Sequence, residues 1–111
     1  MADDAAKAAG DDVIVHPLSK PITPKGFTEP LRELRFRAPN GKDITLCGDP
    51  VAVDFSVSPP KISINAKEMA AMMSRLSGQP PYAIDEMGSN DWKVAAWGLA
   101  RFFVPWEMGT P

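Results

Sequence analysis

The sequence predicts an α+β fold: a small N-terminal antiparallel β-sheet built from hairpins, followed by a C-terminal three-helix subdomain. Three observations predict it. Apolar residues alternate with polar ones in short runs before residue 65 and recur at helical spacing after it. Start and stop signals divide residues 65–104 into three pieces joined by short connections. The twelve prolines cluster outside these helical pieces and punctuate the chain into short segments.

Residues 1–12 are small, acidic and without apolar periodicity, which predicts a disordered tail. Residues 13–104 are expected to form one α+β domain, with strands and loops over 13–64 and helices over 65–104. Residues 105–111 are expected to form a flexible C-terminal tail. Within the domain, Val13, Ile14 and Val15 are β-branched, and Pro17 pushes His16 toward extended geometry, so 13–18 reads as a strand. His16 has no ligand or catalytic partner at recognisable spacing and reads as an edge-strand or loop residue. Pro21, Pro24, Gly26 and Pro30 mark 19–30 as a loop or irregular arm. Over 31–37, Leu34 and Phe36 fall on one face, with Glu33, Arg35 and Arg37 on the other, as in a half-buried strand. Arg32, Arg35, Arg37 and Lys42 can be read as a phosphate-binding patch or as an ordinary solvated face. Glu29, Glu33 and Asp43 dilute their charge.

Residues 39–43 admit two readings. Asn40-Gly41 is a hairpin signal with Ile44-Thr45-Leu46 as the return strand. Alternatively, Asn40 caps a short helix that runs through Cys47 and stops at Gly48. Val51, Val53, Phe55 and Val57 alternate as a strand over 51–57. Ile62 and Ile64 alternate as a second strand, and the two can pair across Ser58-Pro59-Pro60.

The first long helix is bounded by Asn65 as cap and Gly78 as left-handed stop, with Met69, Met72, Met73 and Leu76 at i, i+3, i+4, i+7. Pro81 suits the first turn of a short second helix that Gly88 ends. Tyr82, Ile84 and Met87 can roof the space between the long helices. Ser89 or Asn90 can cap the third, which carries Trp92, Ala95, Ala96, Leu99, Phe102 and Phe103 on one face and cannot pass Pro105. A core role is the ordinary expectation for all these apolar residues.

The totals exclude several functions. A net charge of −2 gives no strong attraction to nucleic acid or anionic membranes. No apolar run approaches the roughly 20 residues needed to span a bilayer, and the N-terminus lacks an apolar signal core. The one cysteine, Cys47, has no internal partner, so a reducing compartment is expected. Phosphate loops, Cys/His metal spacings and nucleophile elbows are lacking. Asp85, Glu86 and Asp91 are the one carboxylate grouping of interest, and Asp91 has a sufficient explanation in the first turn of a helix. No catalysis and no cofactor are expected.

The ordered series Arg75-Leu76-Ser77-Gly78, Pro80-Pro81, Ile84-Asp85-Glu86-Met87, Asp91-Trp92 and Phe102-Phe103 resembles the tail assembly chaperones of contractile-tailed bacteriophages, the family labelled protein E, 41 or 14. Upstream, Leu34-Arg35-Phe36-Arg37-Ala38-Pro39 followed by Gly41-Lys42-Asp43-Ile44 is similar to that family's opening. The resemblance spans about residues 13–104 and favours the short helix over 40–48. It implies a phage or prophage protein, made in the cytoplasm of the bacterial host and absent from the mature virion. Such a protein binds the tape-measure protein and helps recruit tail-tube subunits. Methionine-rich surfaces are adaptable, and tryptophan is enriched at binding hot spots. The residues expected to carry partner contact are therefore Met69, Met72, Met73, Met87, Trp97, Phe103 and Trp106. A groove between the first and third helices would take an amphipathic partner helix. The strand at 13–15 or at 51–57 could pair with a second copy. Two alternatives stand beside this: a minor structural tail or connector subunit, and a small nucleic-acid-binding regulator. For the latter, the last helix offers only Lys93 and Arg101.

Overall fold

The computed structural model describes residues 14–104, so the expectations for the two tails, Val13 and Trp106 lie outside the described residues. Strands β1 (Ile14–Ile22) and β2 (Leu31–Phe36) form one antiparallel pair. Helix α1 (Gly41–Cys47) follows, then a second antiparallel pair, β3 (Val51–Asp54) and β4 (Lys61–Ile64). The C-terminal half holds α2 (Ala66–Ser77), α3 (Pro81–Asp85), α4 (Ser89–Ala100) and a 3-10 turn over Arg101–Phe103. The α+β architecture is as expected, with strands preceding the main helices.

Strand β1 runs past its predicted end, so the first part of the proline-rich arm is strand. Its register with β2 is regular from Ile14↔Phe36 to Pro17↔Glu33, then shifts before Ile22↔Leu31. Prolines are compatible because β1 has its sheet neighbour on one side only, and Pro21 falls where the register shifts. In β2, Leu34 and Phe36 are buried as their alternation requires.

The alternative of a capped helix is the one realised, over Gly41–Cys47. Asn40 accepts a hydrogen bond from the Asp43 backbone N–H, and the Asp43 carboxylate accepts one from the Asn40 N–H, a reciprocal capping box. Gly48, at φ +89° and ψ 169°, stops the helix. This conformation belongs almost to glycine alone, and a Cβ there would stand 2.8 Å from Cγ of Glu68. Gly48→Ala is therefore expected to cost about 1–3 kcal/mol, read as a lower midpoint in thermal denaturation.

The predicted strand over 51–57 ends early, at Asp54. The Asp54 carboxylate accepts from the backbone N–H and hydroxyl of Ser56, and this local turn competes with the ladder. Phe55 and Val57 are consequently exposed. Three helix boundaries also differ from expectation. Asn65 stands before α2 but donates its side-chain amide to the Asp49 carbonyl instead of capping. Gly88 precedes α4 in extended geometry, and α3 has already ended. Helix α4 stops at Ala100, and Val104 is extended, as the following proline demands. Gly78 ends α2 in the left-handed conformation, as predicted.

One apolar core joins these pieces. Leu18, Leu34 and Phe36 of the first hairpin meet Met69, Met72, Met73 and Leu76 of α2, with Ile84, Met87, Leu99 and Phe103 closing it. Tyr82, expected in the roof, is half-exposed, and Phe102 lies at the surface.

Candidate functional site

Two buried carboxylates fix the framework on which the molecular surface is displayed. Asp43 is fully buried and accepts from Nη1 and Nη2 of Arg37, each at 2.8 Å, and from Nε of Arg75 on α2. The same carboxylate completes the capping box, so one side chain ties the end of β2, the start of α1 and the last turn of α2. The Arg37 guanidinium, aided by the Asn40 N–H and by Arg75, outweighs burial and holds the Asp43 carboxyl well below the usual carboxylate range. Arg37 is raised by the same partnership. Arg37 therefore belongs to an internal ion cluster, whereas Arg35 pairs at the surface with Glu33.

Asp91 is the second buried carboxylate, in the first turn of α4. It accepts from the backbone N–H and hydroxyl of Ser19 and the backbone N–H of Lys20, at 2.9–3.2 Å. These donors, the Ser19 N–H foremost, lower its pKa against the effect of burial. His16 Nε2 lies 3.1 Å from the Asp91 carbonyl oxygen. The bulged half of β1 is thereby clamped to the head of α4. Asp91→Ala leaves these donors without their acceptor and is expected to cost about 2–3 kcal/mol. The Ser19 and Lys20 amides should lose protection in hydrogen exchange.

With its inner face fixed, α4 presents a second apolar face outward. Ala95, Ala96, Leu99 and Ala100 are buried, while Val94 is 52% and Trp97 54% exposed. Val94, Trp97, Gly98 and Arg101 recur at i, i+3, i+4, i+7, one stripe along the helix opposite the core. Nothing lies within 4 Å of the position a Gly98 Cβ would occupy, so the backbone there is open to close approach. The Arg101 guanidinium sits 5.4 Å from the centroid of the half-exposed Phe102 ring. Tryptophan on such a face gives large contact area with little side-chain entropy to lose.

The expected partner residues separate accordingly. Met69, Met72 and Met73 have zero exposure, and Met87 and Phe103 are also buried. They are a correction: an α2 stripe packed under the β1–β2 hairpin fills the core, so among the described residues these methionines present no surface to a partner. Trp97 is exposed as a contact residue must be, and Trp106 lies outside the described residues. Val94, which no expectation named, is exposed on the same face, and its spacing from Trp97 is readable in the sequence.

Cys47 is partly buried. A shallow depression of about 410 Å³ is lined by Lys25, Tyr82 and Glu86. Among the described residues, no three His, Cys, Asp or Glu side chains are grouped to hold a metal ion, and no helix is long and apolar enough to cross a membrane.

A family model described as phage tail assembly chaperone proteins, E, or 41 or 14, matches residues 15–104. No curated protein and no solved structure matches the chain. Among the described residues, the family match takes in both hairpins, the four helices and the closing turn, and with them the outer face of α4; this chain belongs to the phage tail assembly chaperones of the E, 41 or 14 type.

Proposed function

We propose that the protein acts in tail morphogenesis by binding the tape-measure protein and helping to recruit tail-tube subunits, without catalysing a reaction. It does so in the cytoplasm of the bacterial host and is absent from the finished virion. Family membership supports the tail-assembly role. The observation that carries the binding role is the outer face of α4, where Val94 and Trp97 are exposed on a helix whose other face already fills the core. A long helical protein with apolar stripes needs such cover until tube subunits surround it.

Co-expression with the tape-measure protein of the same phage genome tests the proposal. Co-purification, with the partner held soluble, is the expected result, and Trp97→Ala should weaken it without altering the thermal midpoint. Failure of the unaltered chain to bind, together with its presence in purified particles, would establish the structural-subunit reading instead.

A further inference from the structure

Helix α4 is more apolar than one buried face requires, and the exposed charges that it and its C-cap carry, Lys93 and Arg101, are of one sign. Lys93 and Arg101 are exposed, whereas the acidic residue of this helix, Asp91, is buried and committed to Ser19 and Lys20. We propose that this face docks an amphipathic helix of a partner protein whose apolar stripe is flanked by Asp and Glu, the apolar ridge lying over Val94, Trp97 and Gly98. The inference rests on the tape-measure reading and specifies the kind of segment recognised.

Charge decides between occupants. A second copy packing antiparallel through Trp97 would set Lys93 against Arg101 of its mate, and a parallel copy would set each cation against itself. Both are repulsive at close range. An acid-flanked helix makes the same two positions attractive, and the open Gly98 lets its backbone approach. The face then discriminates among helical segments by charge, while Trp97 supplies most of the contact.

The test uses the full chain and two synthetic amphipathic peptides with the same leucine–alanine stripe. One peptide carries glutamates beside the stripe and the other carries lysines; binding is read by fluorescence anisotropy. The glutamate peptide is expected to bind about tenfold more tightly at low salt, with the preference shrinking as salt rises. Trp97→Ala should lower its affinity at least roughly tenfold, and Lys93→Glu combined with Arg101→Glu should reverse the preference. All three altered positions are at the surface, and circular dichroism melting checks that the fold is kept. Equal affinity for the two peptides would overturn the inference. So would an affinity for the glutamate peptide that Trp97→Ala leaves unchanged, or self-association of the chain that Trp97→Ala abolishes. Co-purification of the tape-measure protein despite these failures leaves the assembly reading intact; charge-selective peptide binding without co-purification removes that reading and keeps the docking face.

Discussion

Asp43→Ala is expected to lower stability by about 3–5 kcal/mol, the cost of breaking a buried ion pair by removing one partner. Three consequences combine. Arg37 and Arg75 lose their shared acceptor, the Asn40 N–H loses its side-chain cap, and a hole opens where a fully buried side chain stood. The surface exposure of the two guanidiniums lets water replace part of the loss, which sets the value toward the lower end of that range. For a domain of this size, total stability is roughly 5–15 kcal/mol, so partial unfolding at elevated temperature follows. Urea denaturation of wild type, Asp43→Ala, Arg37→Ala and the double variant measures the pair directly; purely additive effects would show that Asp43 and Arg37 do not act together.

The same cluster predicts a pH dependence. The Asp43 carboxyl titrates lower in the folded chain than in the unfolded one, so the unfolded state binds protons first as pH falls. The stabilisation is fully present above the unfolded value of about 4 and is lost as pH drops through the folded value. Asp43→Asn lacks this titration. The stability gap between wild type and Asp43→Asn should therefore be widest at neutral pH and close in acid. A gap that stays constant between pH 7 and pH 2 would contradict the assignment.

Met72→Ala is expected to cost about 2–5 kcal/mol, as for other large-to-small core substitutions. Met72 has no exposed surface and belongs to the same core cluster as Leu34, Phe36 and Leu99. Removing its side chain leaves a cavity that the hairpin and α2 close only in part. Met72→Leu nearly conserves volume and should cost less than about 1.5 kcal/mol. The measurement is the urea midpoint at unchanged slope. Under the proposed function, binding of the tape-measure protein at low temperature, where the variant remains folded, should match wild type. A selective loss of binding with intact stability would return the methionines to the contact surface.

Local signals explain why much of the architecture was readable. Gly78, Pro81 and Pro105 act on the backbone of their own or the adjacent residue, and the apolar spacing of Met69, Met72, Met73 and Leu76 marks one side of a helix whatever lies against it. Where two local signals competed, reading was harder. Asn40-Gly41 offered a turn and a cap, and the cap prevailed because Asp43 serves both its own helix and two arginines. The strand over 51–57 was overextended because alternation continues through Phe55 and Val57, although the Asp54 turn ends the pairing first.

The sequence by itself determined the order and approximate extent of the elements, the apolar face of α2 and the family, because these depend on neighbours along the chain. Tertiary structure alone decided what each face meets. The Asp43–Arg75 contact joins residues 32 apart, and the Asp91–Ser19 contact joins residues 72 apart; no periodicity encodes such partners. Packing likewise buried the methionines and left Trp97 outside. A helix with two apolar faces can bury only the one its neighbours cover, and the other is free to meet a partner.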